Sequence, residues 1–168
     1  MSDGIRILGI DPGSQVTGYG IVEFVGALTR PVAWGGIKTS GDHSDRLRQI
    51  FSGVAELVAL HLPDEIAIER VFVHRNADSA LKLGQARAAA LCATFSRAIP
   101  IHEYAARQVK KAVVGDGAAE KSQVEHMVKV LLGLRGIMQS DAADALALAI
   151  CHSQMRAMQG LIARAESA

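Results

Sequence analysis

An α/β fold built on a mixed sheet is what this 168-residue sequence predicts, and three observations predict it. Three apolar or β-branched runs follow one another at the start, each bounded by turn residues, as a meander requires. Helix-like and strand-like periodicities then alternate, the pattern of β-α-β units. After the last strand only helical stretches remain. A chain of this length makes one domain with a core of useful size.

The first strand is the apolar run Ile5-Arg-Ile-Leu-Gly-Ile10, stopped by Asp11-Pro12-Gly13-Ser14. The second and third are Val16 to Phe24 and a run centred on Val32 to Ile37. From Ser44, apolar residues at 47, 50, 51, 54, 57 and 58 form the stripe of an amphipathic helix. Leu62-Pro63-Asp64 closes it, and Glu65-Ile-Ala-Ile-Glu69 is a short strand that ends on a carboxylate, like the first. Asn76 caps a long Ala/Leu-rich helix reaching to about Arg97. Pro100 to Tyr104 is the fifth strand, followed by helices near 105–113, 119–132 and 140–158.

Composition narrows the function. Hydrophobic residues at 49% and charged ones at 21% exclude intrinsic disorder. Two cysteines, Cys92 and Cys151, without CxxC or zinc spacing, argue against a disulfide framework or structural zinc and fit a reducing cytoplasm. No signal peptide is visible, and no apolar run approaches the roughly 20 residues of a membrane span. The net charge of +1 is a sum over unlike parts: −4 over residues 1–69, +6 over 70–135 and −1 over 136–168. A basic middle between acidic flanks suits a polyanionic partner, which the total conceals.

Asp11 and Glu69 each end an apolar strand. In a two-residue period Ile7, Gly9 and Asp11 share one face of the first, and Ala67 and Glu69 share one face of the fourth. Were these strands parallel neighbours, both acids would reach the crevice beyond the strand ends, where open α/β sheets hold ligands. Asp141 and Asp144 project together from the first turns of the last helix, three residues apart. Each signal has a bland reading. An Asp before Pro-Gly is usually a turn residue, and acids at a helix start often serve only the dipole. Together, four such carboxylates repel one another unless cations neutralise them. All-oxygen ligation suits Mg²⁺ or Mn²⁺. Two such ions about 4 Å apart can clamp the attacking and leaving oxygens of a phosphodiester.

The motifs Leu8-Gly-Ile-Asp11-Pro-Gly-Ser, Ala67-Ile-Glu69 and Asn76-Ala-Asp-Ser-Ala-Leu-Lys-Leu-Gly-Gln-Ala-Arg87 resemble the RuvC family of Holliday junction resolvases. So do Tyr104-Ala-Ala-Arg-Gln-Val-Lys110, Gly115-x-Gly117-x-Ala119-x-Lys121-x-Gln123-Val124 and Asp141-Ala-Ala-Asp144-Ala-Leu-Ala, in the same order and spacing over about residues 5–152. The resemblance implies an RNase H-like fold, with a five-stranded mixed sheet flanked by helices. It also implies a homodimeric, magnesium-dependent endonuclease that resolves four-way DNA junctions by paired nicks. On the matching positions, Asp11, Glu69, Asp141 and Asp144 would be the catalytic, metal-binding carboxylates for two Mg²⁺ per site, with Mn²⁺ as a substitute. Some relatives carry His where this chain has Asp141, so that site need not behave as theirs do. The nuclease domain would span 1–155, with 156–168 as a helical extension or tail.

Lys110 and Lys121 match the family's active-site lysines and would bind or stabilise the scissile phosphate. Arg75, Lys82 and Arg87 are expected to contact phosphates away from the cut. Phe72 resembles the family's aromatic wedge at the crossover, and His74 is a further candidate contact. The small residues of the helix after Asn76 permit close helix approach across a two-fold axis, and an isologous dimer supplies two matched sites for two cuts. A branch-migration motor of the RuvA–RuvB type is the partner implied; no membrane and no nucleotide cofactor are expected. Two other classes compete with this reading. Asp-x-Gly-Ser also resembles the phosphate loop of actin-like ATPases, which need two such subdomains where this length supplies one. A junction-binding module without catalysis is disfavoured by the presence of all four acids.

Overall fold

In the computed structural model, which describes residues 4–71 and 76–166, β1 (Ile5–Asp11), β2 (Val16–Val25) and β3 (Leu28–Lys38) form an antiparallel meander. The units α1 (His43–His61), β4 (Glu65–Glu69), α2 (Ala77–Cys92) and β5 (Ile101–Tyr104) then alternate, before α3 (Ala106–Val114), α4 (Lys121–Leu132) and α5 (Ser140–Glu166). The sheet order is β3-β2-β1-β4-β5, with β1 central, antiparallel to β2 and parallel to β4. β5 runs parallel to β4. This is the mixed five-stranded sheet of the RNase H-like fold.

The period of two divides the core between the sheet's faces. Leu8, Ile10, Ile66 and Ile68 turn toward α1 and α2, meeting Ile50, Val54 and Ala86. Ile7 and Ala67 turn the other way, into a layer with Val109, Val124, Val128 and the α5 residues Ala142 to Cys151. Every residue of that α5 stretch except Asp144 is buried, so α5 is a core helix rather than a surface one. Its face toward the sheet needs glycine. A Cβ on Gly9 would stand 2.0 Å from the Ala145 carbonyl oxygen, and one on Gly20 2.7 Å from the Leu146 nitrogen. In strands, glycine marks such close backbone approach.

The expected boundaries hold with three differences. β3 begins at Leu28, well before Val32, because Gly26 turns the chain at φ +63° and hands it straight back. Its Pro31 is tolerated on an edge strand beside a register shift at Ile21/Val22. α2 ends at Cys92, not near Arg97. There the Thr94 hydroxyl and N–H both donate to the Leu91 carbonyl, and Phe95 bonds back to Cys92, so the chain tightens into three-residue turns. α5 continues unbroken through residue 155 to Glu166. Asn76 caps α2 as expected, accepting from the Ser79 N–H at 3.2 Å.

Candidate active site

β1 and β4 pair in parallel through Ile10 and Ile68, and one step further both end on an acid, Asp11 and Glu69. The sheet itself therefore sets these two carboxylates side by side. Asp141 and Asp144 arrive from α5, whose first turn is pinned against β2: a Cβ on Gly18, the partner of Asp11 across the ladder, would stand 2.0 Å from the Asp141 carbonyl oxygen. Strand ends, a glycine seat and a buried helix thus converge four acids at the carboxyl end of the sheet.

Asp11, Glu69 and Asp144 line an open cleft with Lys110 and Lys121, against an apolar wall that includes Val109, Val124 and Leu148. Asp141 does not line the cleft, yet its charge acts on Asp11. Burial is the main force on Asp11; together with repulsion from Asp144, Glu69 and Asp141 it pushes the carboxyl from 3.8 up to about 7. Glu69 is raised too, by burial and then by Asp144, with Lys121 and Lys110 opposing. Lys121, at the start of α4, donates to Asp144 Oδ2 at 2.9 Å. That bond, with the charges of Asp144, Asp11 and Asp141, raises the lysine above its ordinary value.

These features test whether divalent ions fit. An acid pushed up to about 7 by burial and by three neighbouring carboxylates marks a site short of positive charge, which Lys110 and Lys121 supply only in part. The donors are oxygens throughout, the set hard Mg²⁺ or Mn²⁺ takes. The residues fit the ions.

The other expected residues separate. Phe72, His74 and Arg75 lie outside the described residues. Lys82 is exposed on α2 and ion-paired with Asp78 at 2.8 Å. Arg87 turns inward: its Nε donates to the Glu69 carbonyl at 3.3 Å, and its Nη2 lies 2.9 Å from Glu103. An arginine on a long polar-faced helix reads as surface from sequence; only the pairing of β4 with β5 brings Glu103 beneath it. The glycine seat and the apolar wall also went unnoticed in the sequence, although Gly9, Gly18 and Gly20 inside strand patterns were a signal for the seat.

Comparison with known proteins follows the same lines. The family model described as crossover junction endodeoxyribonuclease RuvC matches residues 7–152. The protein of that name from Methylococcus capsulatus is 56% identical over 152 residues, covering 90% of this chain and 92% of the relative. Its namesake from Tolumonas auensis is 55% identical over 148 residues, covering 88% and 86%. Among solved structures, Thermus thermophilus RuvC in complex with a Holliday junction substrate superposes with a TM-score of 0.85 at 34% identity, covering 92% of this chain and 96% of that one. The yeast mitochondrial Holliday junction resolvase Ydc2, at 13% identity and a TM-score of 0.67, shares the fold.

Proposed function

Because this chain belongs to the RuvC family of crossover junction endodeoxyribonucleases, we propose that it resolves four-way DNA junctions by paired, Mg²⁺-dependent hydrolysis, leaving 5′-phosphate and 3′-hydroxyl ends. The observation that carries the reading is the convergence of Asp11, Glu69, Asp141 and Asp144 at one sheet end, with Asp11 pushed up to about 7. The identity of the structural relative bound to a Holliday junction supports the substrate.

Asp11 is placed to serve both halves of the site, with Glu69 on one side and the Asp141/Asp144 pair on the other. Asp11, Glu69, Asp141 and Asp144 would hold two Mg²⁺ ions, or Mn²⁺ in their place, whose Lewis-acid charge would favour an attacking water and the leaving 3′-oxygen. The chain's own groups do the rest. The apolar wall of Val109, Val124 and Leu148 limits water around the reacting phosphate. Lys110 and Lys121 face the cleft as ammonium groups able to hold a non-bridging phosphate oxygen. Lys121 must exchange Asp144 for that oxygen, a switch that links substrate entry to the state of the acid.

Away from the cut, Lys82 and Arg75 are read as phosphate contacts and Phe72 as the wedge at the crossover, with His74 beside it. Arg87 is read as a positioning residue for β4 and β5, on its hydrogen bond to the Glu69 carbonyl and its ion pair with Glu103. The homodimer is assigned to the outer face of α2 and its following turn, where Leu81 and Phe95 are 68% and 64% exposed. Among the described residues no helix is long and apolar enough to cross a membrane. A cytoplasmic enzyme working with a RuvA–RuvB type motor completes the proposal.

The test is cleavage of a synthetic four-way junction against linear duplex of the same sequence, in Mg²⁺ and in EDTA. Symmetric nicks in the junction alone, abolished by EDTA and by Asp11→Asn with binding kept, are expected. Cutting by the Asp11→Asn protein at the wild-type rate would overturn the site, and binding without any cutting would leave a junction-recognition module.

A further inference from the structure

The starting ends of β4 and β5 carry a second polar cluster on the α5 side of the sheet. Glu65 opens β4, four residues or about 13 Å before Glu69. His102 lies on β5 opposite Ala67. His152 lies on α5, eight residues or about 12 Å beyond Asp144. The cluster is therefore remote from the catalytic cleft, and none of its three residues lines it.

One donor atom from each of Glu65, His102 and His152 lies within 4.8 Å of the other two. His152 is buried, its Nε2 2.5 Å from Glu65 Oε2 and its Nδ1 2.5 Å from the Tyr104 hydroxyl. Arg156 bonds the other carboxylate oxygen, Glu65 Oε1. The His102 ring stacks on that of His152 with centroids 4.2 Å apart. Its Nε2 is buried and has no hydrogen-bond partner, a rare and costly condition for an imidazole nitrogen.

We propose that Glu65, His102 and His152 bind a zinc-class divalent cation, Zn²⁺ or its congeners Co²⁺ and Ni²⁺, at a structural site that ties β4 and β5 to α5. Two imidazoles and one carboxylate are the donor set these ions take, and not the one Mg²⁺ prefers. Ligands around a tetrahedral ion stand about 3.3 Å apart, so the donors must shift by up to about 1.5 Å, His152 and Glu65 parting slightly as His102 draws in. The outer partners are already in place: Tyr104 holds the far nitrogen of His152, and Arg156 holds the far oxygen of Glu65. On binding, Glu65 Oε2 exchanges the His152 Nε2–H for the ion. That proton moves within the ring to Nδ1, which then donates to the Tyr104 oxygen, and water completes the coordination. The ion gives the orphaned His102 nitrogen the partner it lacks.

The full chain, with excess Mg²⁺ in the carboxylate cleft, is titrated with Zn²⁺ by calorimetry and with Co²⁺ by visible absorption. We expect one Zn²⁺ per chain, a Tm raised by zinc, and the intense Co²⁺ bands of nitrogen ligation. His102→Phe keeps the stacked ring and removes an Nε2 that has no partner among the described residues, so it should fold with a metal-free Tm close to the wild type's. It should weaken Zn²⁺ by at least about tenfold and abolish the Co²⁺ bands; His102→Gln serves as the second variant. Asp11→Asn should leave Zn²⁺ binding intact. No Zn²⁺ binding, equal binding by both His102 variants, or loss of binding in Asp11→Asn alone would overturn the proposal, the first leaving a metal-free hydrogen-bonded brace.

Discussion

Lys121 Nζ stands 2.9 Å from Asp144 Oδ2, an ion pair that joins the first residue of α4 to the first turns of α5 inside the cleft. The lysine is 75% exposed, so the pair is worth little to stability. In the proposed site the ammonium occupies a carboxylate that would also hold a metal ion. Lys121→Met should therefore tighten Mg²⁺ by roughly two- to fivefold, as removal of an exposed competing cation implies. It should at the same time slow single-turnover junction cleavage by about a hundredfold, the loss of one oxyanion contact. Mg²⁺ calorimetry and cleavage kinetics on the same variant check both arms. Weaker Mg²⁺ binding would contradict the exchange.

Asp11 makes the metal-free protein less stable as pH rises. Below pH 3.8 its carboxyl is protonated in both folded and unfolded chains, and its burial is harmless. Between 3.8 and about 7 the unfolded chain ionises while the folded one resists, so stability falls, and the loss is complete above 7. Asp11→Asn lacks this penalty. In EDTA at pH 8 it should melt above the wild type by at most a few kcal/mol of stability, with the gap closing below pH 4. Mg²⁺ should stabilise the wild type and not the variant. Thermal melts across pH with and without Mg²⁺ decide the matter.

Gly18 links packing to chemistry more directly than any acid. A methyl there would meet the Asp141 backbone oxygen at 2.0 Å, and backbone cannot swing aside as a side chain can. Gly18→Ala should cost about 1–3 kcal/mol or more through overpacking. It should also reduce cleavage beyond what its lower Tm explains at a temperature where it remains folded, because α5 carries Asp141 and Asp144. Gly160, on the exposed end of α5 with nothing within 4 Å of an added Cβ, is the control, and Gly160→Ala should be neutral or stabilising.

Two basic residues of α2 should behave as opposites. Lys82→Ala, on the exposed face, should lower the slope of log K against log salt for junction binding by about 0.9 and leave the Tm nearly unchanged. Arg87→Ala should leave that slope alone and destabilise the fold by about 1–3 kcal/mol, since the Glu69 carbonyl loses a donor and Glu103 keeps only the longer ion pair with Arg70 at 3.9 Å. Fluorescence anisotropy over a salt series, beside thermal melts, separates the two roles. A changed slope in Arg87→Ala would return it to the DNA surface.

What the sequence made legible was local. Ile5–Asp11 and Glu65–Glu69 announce themselves by alternation and end on their acids, while the parallel pairing that unites Asp11 with Glu69 stays open in the sequence and is set by the sheet order. The i, i+3 spacing places Asp141 and Asp144 on one side of α5 before any tertiary contact is known. Contacts between distant segments were not legible. Glu103 beneath Arg87 depends on the neighbourhood of β4 and β5, and Glu65, His102 and His152 lie 37 and 50 residues apart in sequence with no motif to join them. Three isolated polar residues, each ordinary in its own strand or helix, become a cluster only when the sheet and α5 close.

Leu81 and Phe95 are left uncovered by the rest of the described residues. Leu81 on α2 and Phe95 in the turn after it are 68% and 64% exposed, and the residues between them at helical spacing, Ala88 and Cys92, are exposed and small or apolar. An exposed apolar strip of this kind marks an interface, and an isologous contact buries it twice. Leu81→Glu places a charge on that strip without touching the core or the cleft. It should shift the protein from dimer to monomer in sedimentation velocity, with the Tm of the monomer fold kept. On a four-way junction it should then leave singly nicked products, since each protomer carries one cleft and the second, symmetry-related cut loses its partner. A Leu81→Glu protein that sediments and cuts in pairs like the wild type would move the dimer contact away from α2.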